Sequence, residues 1–139
     1  FKPNGNITRA EFATIAVRFF EATYEGENLF PDIDGHWAQD YINEAANAGI
    51  VDGYPDGTFG PQKLITRAEA MTILGRTQAK GYAQADLSAF TDAAQVPGWA
   101  AEYTKVLVGQ GVVAGSNGQI RPTGLLTRGE VAKLLYAML

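Results

Sequence analysis

Three arginines stand in the same short pattern of residue types, and that pattern is suited to binding an anion. Each follows a threonine and precedes a glutamate by two positions, in the segments Ile7–Glu11, Ile65–Glu69 and Leu126–Glu130. The threonine and glutamate predict a capping box, in which their side chains satisfy backbone N–H groups at a helix start. The arginine is then a cation at the positive end of the helix dipole, which costs about 0.3 to 1 kcal/mol. A bound carboxylate would offset this cost, because free helix-start amides and a guanidinium together hold it.

A structural ion pair would offset the same cost equally well. The acids that could supply it are Asp32, Asp34 and Asp92. Recurrence does not decide between the two interpretations, since a repeated sequence copies structural devices as well as binding residues. Arg67 is the first candidate for anion recognition, and Arg9 and Arg128 are the candidates in the other two copies.

Two tryptophans in equivalent contexts, each followed by alanine, are candidates for contact with a sugar. The indole faces of Trp37 and Trp99 suit the C–H face of a sugar ring, but each residue also lies where a helix meets the core. A large amphipathic side chain of this kind is rarely buried completely. Core packing and ligand contact are therefore both open for these two residues.

Two further pairs of equivalent residues complete the candidate site. Asp32 and Asp92 precede the two tryptophans and can cap or brace the following helix, or contact a ligand. Gly53 and Gly115 are predicted turn residues, and a glycine also lets a ligand approach the backbone closely.

Composition excludes several other functions. The formal net charge of −4 does not provide the positive field that non-specific nucleic-acid binding requires, and the absence of cysteine excludes a thiolate metal site. The segments Asp32–Gly35 and Asp52–Gly57 lack the alternating oxygen ligands of a calcium loop, so no metal and no cofactor are expected. No apolar run approaches the roughly 18 residues of a membrane-spanning helix, so no membrane insertion is expected.

An enzyme is the weakest interpretation of the candidate residues. His36 is the single histidine, and no partner residues for a catalytic dyad or a metal site stand out around it. The carboxylates of Glu11, Glu69 and Glu130 are accounted for as helix caps. The chain is therefore predicted to be non-catalytic.

The elements that position these residues are pairs of helices. Residues 37–48 and 99–110 carry apolar positions at helical spacing, and Gly49 and Gly111 provide the left-handed residue that ends each helix. The arginine segments begin three more helices, whose buried stripes are Phe12, Ile15, Ala16 and Phe19; Ala70, Ile73 and Leu74; and Val131, Leu134, Leu135 and Met138. Each stripe is too narrow to be stable alone, which predicts an all-α domain with the repeats packed around a shared centre.

The helix pairs define two and a half repeats within one domain, residues 1–139. Residues 1–24 are the second half of motif 1, residues 28–79 are motif 2 and residues 88–139 are motif 3, with a linker over residues 79–89. The first copy begins where Phe1 aligns with Phe59 and Pro3 with Pro61, so the chain is expected to be a fragment. A partner chain that completes motif 1, or self-association, is a second possible arrangement.

Taken together, these segments resemble the S-layer homology (SLH) motif. The resemblance rests on Phe30-Pro31-Asp32, Trp37-Ala38, Gly49-Ile50-Val51, Gly53 to Pro61 and Ile65 to Glu69, and it spans essentially the whole chain. It implies a three-pronged pseudo-trimer around a central helix bundle. It also implies attachment of a secreted protein to the bacterial cell surface, through secondary cell-wall polysaccharide with pyruvate-ketal sugars bound in grooves between motifs.

Two departures from the SLH pattern limit this expectation. Motif 1 lacks its leading half, and motif 3 has Ser116 to Ile120 where motif 2 has Tyr54 to Phe59. The groove of motif 3 is therefore expected to bind differently or not at all. The same scaffold could serve protein–protein assembly in a surface layer, and in a Gram-negative host related motifs bind modified peptidoglycan instead.

Overall fold

Helices account for the regular structure of this protein. The computed structural model describes residues 5–78, 85–113, 115 and 117–138, and in this part of the chain it has no β-structure beyond three isolated bridges. The helices are α1 Arg9–Phe20, α2 Gln39–Asn47, α3 Arg67–Gln78, α4 Gly98–Gln110 and α5 Arg128–Ala137. The predicted all-α fold is confirmed, whereas the three-pronged arrangement remains a prediction. Within the described ranges, none of these helices combines the length and apolarity that a bilayer crossing requires.

The predicted starts of the three arginine helices are confirmed. At α1 the amide of Glu11 donates to Thr8 Oγ1 at 3.1 Å, and the amide of Thr8 donates to Glu11 Oε1 at 3.0 Å. The same reciprocal pair occurs between Thr66 and Glu69 and between Thr127 and Glu130. Each capping box satisfies two backbone donors at a position where the helix itself offers no acceptor.

In α1 and α3 the amides of the first two helical residues donate to carbonyls of the loop that precedes the arginine helix of the following motif. The Arg9 amide donates to the Lys63 carbonyl at 2.8 Å and the Ala10 amide to the Pro61 carbonyl at 3.1 Å. In α3 the Arg67 amide binds the Gly124 carbonyl at 2.8 Å. These bonds fix each loop against a helix start, and they leave those amides unavailable to a ligand.

The helix ends follow the predicted glycine pattern. Gly111 caps α4 with φ 83°, and Gly49 follows the end of α2 with φ 75°. The helix predicted over residues 37–48 is shorter than expected, because α2 begins at Gln39 and Trp37 lies before it. Of the predicted linker, residues 79–84 lie outside the described residues, and so do Phe1 and Pro3.

The described chain forms two compact units, and neither coincides with a sequence motif. The first unit, Ile7–Leu64, packs α1 of motif 1 against α2 of motif 2. Its core contains Phe12, Ala16, Ile42 and Phe59, whereas Ile15 and Phe19 of the predicted stripe are only half-buried. The first unit therefore joins the second half of one motif to the first half of the next.

The second unit comprises the described residues from Ile65 onwards together with Gly5 and Asn6. It packs α3 of motif 2 against α4 of motif 3, and its core contains Leu74, Leu107, Ile120 and Leu126. In α5, Val131 and Leu134 are buried as predicted, while Leu135 and Met138 are half-buried.

The start of α5 is fixed by residues from the beginning of the chain. Asn6 forms an isolated bridge with Thr127, and the Arg128 amide donates to the Gly5 carbonyl at 3.0 Å. The bridges of Thr8 with Leu64 and of Thr66 with Leu125 place the other two helix starts in the same way. Each threonine thus pairs with the loop of the following motif, and the last one pairs with the loop of the first.

Candidate functional site

Arg9 is enclosed by the loop that ends the first unit. Its Nε donates to the Phe59 carbonyl at 2.8 Å and its Nη2 donates to the Asp52 carbonyl at 3.0 Å. The guanidinium carbon lies 4.6 Å from the ring centroid of Tyr54 and 4.7 Å from that of Phe59. With the residue only 6% exposed, these carbonyls and aromatic faces stabilise a cation that burial alone would penalise.

Arg67 occupies the equivalent position in the second unit with different surroundings. Its Nε donates to the Ile120 carbonyl at 2.9 Å, which repeats the bond from Arg9 to Phe59. Its Nη1 forms an ion pair with Glu130 Oε2 at 2.6 Å. The Arg67 side chain is 14% exposed, so the guanidinium reaches the surface of the unit.

The side chain of Arg128 donates a hydrogen bond to the backbone of Asn6. Its Nη1 donates to the Asn6 carbonyl at 3.3 Å, and the residue is half-buried. All three arginines therefore donate to a loop carbonyl.

The premise that the capping box leaves the arginine without a structural role is therefore wrong. A structural ion pair is present at Arg67, but its acid is Glu130 and not the predicted Asp32, Asp34 or Asp92. At α1 and α3 the helix-start amides invoked for anion binding already donate to loop carbonyls. An anion beside Arg9 or Arg67 would therefore be held mainly by side chains.

The two tryptophans lie on the surface, so the core-packing alternative is wrong for both. Trp37 is 63% exposed and Trp99 is 58% exposed. Trp37 lines a cavity of about 420 Å³ with Thr8, Glu11, Gly35, His36, Pro61 and Gln62. The exposed indole of Trp37 beside this cavity provides a flat apolar surface with a hydrogen-bonding rim, which suits a sugar.

Asp32 and Asp92 hold the loops that carry the arginine contacts. Asp32 accepts hydrogen bonds from the amides of Phe59 and Gly60, both at 2.9 Å. Asp92 accepts from the amides of Ile120 at 2.8 Å and Arg121 at 2.7 Å. The prediction that these acids brace the following helix is corrected, because each braces a loop 27 to 29 residues further along the chain.

Asp32 and Asp92 each clamp a loop by accepting two backbone amide hydrogen bonds, and these two clamps should make the fold sensitive to acid. Burial by itself raises the pKa of Asp92, but the amides of Ile120 and Arg121 outweigh burial and hold the pKa below its usual value. The amides of Phe59 and Gly60 lower the pKa of Asp32 in the same way. A pKa below the unfolded value of about 3.9 contributes stability that is present above that pH and is lost as the pH falls through the folded pKa.

We therefore expect the free energy of unfolding to fall steeply below about pH 4. Asp92→Asn removes one of the two titrating clamps, so the variant should be less stable at pH 7 and should show a shallower loss of stability below pH 4. Urea unfolding followed by circular dichroism between pH 2.5 and pH 7 measures both effects. Parallel curves for the variant and the wild type would contradict the clamp role of Asp92.

Gly53 and Gly115 each pack closely against a phenylalanine ring of their own unit. A Cβ on Gly53 would lie 2.5 Å from Phe30 Cε1 and 2.6 Å from the Thr58 carbonyl oxygen. A Cβ on Gly115 would lie 2.7 Å from Phe90 Cε1. Both glycines are therefore needed for packing against a phenylalanine, and Gly115 also lines the cavity described next.

A cavity of about 340 Å³ opens beside Arg67 in the second unit. Its charged lining residues are three cations and one carboxylate, namely Arg67, Arg121, Lys133 and Glu130. Asp92 holds the backbone of one wall through its bonds to Ile120 and Arg121. In a chain of formal net charge −4, a cavity with an excess of cations favours an anionic ligand.

The structure brings together some of the predicted site residues and separates others. Arg67 and Gly115 line one cavity, and Asp92 supports its wall, but Trp99 is not part of it. In the first unit, Trp37 lines a cavity that does not include Arg9. Neither of these two cavities is therefore lined by both an arginine and a tryptophan of the candidate set.

Sequence reasoning missed two cationic residues of the Arg67 cavity. Arg121 and Lys133 differ from their counterparts in motif 2, which are Gly60 and Thr72. Motif 3 thus differs from motif 2 by two added positive charges as well as by the segment Ser116 to Ile120. Comparing the copies for gains of charge, and not only for losses of pattern, would have identified both residues.

Comparison with known proteins identifies relatives that belong to bacterial surfaces. The model of the S-layer homology domain family matches residues 1–13, 29–71 and 89–132. The surface-layer 125 kDa protein of Lysinibacillus sphaericus is 37% identical over 138 residues, which is 95% of this chain and 12% of that protein. The cellulosome-anchoring protein of Acetivibrio thermocellus is 41% identical over 98 residues, which is 66% of this chain and 22% of that protein. The chain thus spans less than a quarter of each of these two relatives.

Proposed function

The chain belongs to the S-layer homology domain family, and on that basis we propose that it is a non-catalytic module that attaches a protein to the bacterial cell surface by binding cell-wall polysaccharide. Relatives that are surface-layer or cellulosome-anchoring proteins support the anchoring role and the cell-surface location. The matched segment accounts for most of the chain. Any catalysis by a parent protein would belong to segments outside this domain.

The observation that carries the choice of ligand is the cationic cavity beside Arg67. Three cations around one cavity favour a sugar that bears a carboxylate, and a pyruvate ketal on the wall polysaccharide is such a group. A guanidinium can bind a carboxylate through two parallel hydrogen bonds, which gives direction as well as charge. We therefore propose an anionic, pyruvylated wall polysaccharide as the ligand.

The tryptophans fit the same function at different places on the surface. A polysaccharide is long enough to contact more than one point on the module, so an exposed indole need not share a cavity with an arginine. Trp37 and Trp99 provide apolar faces for sugar rings at two equivalent positions. We propose that they hold neighbouring sugars of the chain and that the cavity beside Arg67 recognises the charged one.

Co-sedimentation with purified wall sacculi tests the proposed function. The chain should sediment with intact sacculi, and most of it should stay in solution after acid has removed the secondary polysaccharide and its ketal groups. Raising the salt concentration should weaken the retention, because exposed charges are screened. Retention that survives removal of the polysaccharide would indicate peptidoglycan as the ligand and would contradict the proposal.

A further inference from the structure

We propose that the two arginine sites of this chain are not equivalent: the site at Arg9 is closed by Tyr54, whereas the site at Arg67 is open and uses Arg121 and Lys133 to contact an anionic sugar. This inference rests on the proposed function and names the residues that carry it. It also assigns the ligand to the copy of the motif that departs most from the family pattern.

The first unit shows how the site is closed. The ring of Tyr54 covers the guanidinium of Arg9 at 4.6 Å, and Lys63 Nζ lies 4.4 Å from the same ring. Phe59 covers Arg9 from a second side. An arginine that is 6% exposed between two rings is positioned to hold the loop.

Gly60, which precedes Pro61 in the loop that covers Arg9, accounts for the difference between this site and the site at Arg67. A Cβ on Gly60 would lie 2.8 Å from Tyr54 Cε2, so a side chain at this position collides with the closing ring. In motif 3 the sequence has Arg121 in place of Gly60, Ile120 in place of Phe59 and Ser116 in place of Tyr54. A side chain at position 60 would collide with Tyr54, whereas motif 3 combines Arg121 with the smaller Ser116.

Arg121 is held in a backbone conformation that arginine disfavours. Its φ is 58°, close to the 70° of Gly60, and a left-handed conformation is strained for a residue other than glycine. The bond from its amide to Asp92 at 2.7 Å maintains this conformation. Glycine satisfies the same geometry without strain, so the fold does not explain the choice of arginine, whereas a ligand contact does.

Lys133 is the second cation that distinguishes this site. It is exposed on α5 and lines the same cavity as Arg67 and Arg121. The equivalent positions of α1 and α3 are Thr14 and Thr72, whose hydroxyls bind the carbonyl one turn earlier in the helix. Motif 3 therefore has a charged side chain at the cavity, where the other copies have a threonine whose hydroxyl donates to a carbonyl of its own helix.

The decisive experiment replaces the two cations with the residues that the repeat itself uses. Arg121→Gly should weaken binding of purified wall polysaccharide about tenfold, which corresponds to about 1.4 kcal/mol. Lys133→Thr should weaken it severalfold, and both variants should reduce its salt dependence. Both should melt within about 3 °C of the wild type, because relief of the strain at residue 121 offsets the added flexibility of glycine.

Lys63→Gly is the matched control, because it removes one cation from the closed site and introduces the glycine found at the equivalent position 124. Its affinity should remain within about twofold of the wild type, since Lys63 does not line the cavity beside Arg67. Wild-type affinity in Arg121→Gly, or an equal loss in Lys63→Gly, would overturn the inference while leaving the proposed function intact. A wild-type chain that does not bind the polysaccharide would overturn both.

Discussion

Arg67→Met is expected to weaken binding of wall polysaccharide by roughly 30-fold, since charge-assisted hydrogen bonds are worth about 1.5 to 3 kcal/mol. Methionine retains much of the apolar stem of arginine and removes the guanidinium that faces the cavity. The variant also loses the bond to the Ile120 carbonyl, so some loss of stability is expected as well. Isothermal titration calorimetry well below the melting temperature, with circular dichroism of the same sample, separates binding from folding.

Glu130→Gln is the companion variant that distinguishes a binding role from a structural one. Glu130 Oε2 lies 2.6 Å from Arg67 Nη1, and an anionic ligand must compete with this ion pair. Glutamine still offers an oxygen to the Thr127 amide, so the capping box is retained. If Arg67 binds the ligand, Glu130→Gln should bind severalfold more tightly. Unchanged or weaker binding would indicate that the ion pair serves only the fold.

Gly75→Ala is expected to destabilise the second unit by about 2 kcal/mol, although alanine is ordinarily the better helix former by about 1 kcal/mol. A Cβ on Gly75 would lie 2.5 Å from Tyr103 Cβ, 2.9 Å from Tyr103 Cα and 3.0 Å from the Tyr103 carbonyl oxygen. Two of these atoms belong to the backbone of α4, so no side-chain rotation relieves the contact. The cost of separating α3 from α4 therefore exceeds the gain in helix propensity.

Thermal unfolding measures this effect against a matched glycine. We expect the melting temperature of Gly75→Ala to fall by about 8 °C. Gly98 is the control, because it is the first residue of α4 and a Cβ there meets no atom within 4 Å. Gly98→Ala should melt at or slightly above the wild-type temperature. A stabilised Gly75→Ala variant would show that the two helices are not in close contact at this point.

The helix starts could be predicted from sequence because their physics is local. The hydroxyl of a threonine and the carboxylate three residues later satisfy each other's backbone amides whatever surrounds them, as at Thr8 and Glu11. The same holds for the end of α4 at Gly111. The position of Trp37 was ambiguous because it precedes α2, so the helical periodicity that identifies buried residues does not apply to it.

The partners of the site residues could not be predicted, because they are distant in sequence. Arg67 binds a carbonyl 53 residues away and a carboxylate 63 residues away, and Asp32 binds amides 27 and 28 residues away. No local pattern specifies such pairs. The repeat predicted Arg67 and Asp92 as candidate site residues, but only the folded chain shows that Arg67 lines a cavity and that Asp92 supports its wall.

The bonds that join Gly5 and Asn6 to Thr127 and Arg128 determine when folding can be completed. The contacts inside the first unit join residues 7 to 64, so they can form once the first half of the chain has emerged from the ribosome. In the second unit, residues 5 and 6 pair with a segment about 120 residues later in the chain. Synthesis at roughly 5 to 20 residues per second delivers that segment several seconds after the first half. Contacts of this separation form late and slow the folding of a domain. A nascent or truncated chain that ends before residue 127 therefore lacks the partners that Gly5 and Asn6 have in the folded second unit, and this backbone segment is then available to pair with another copy.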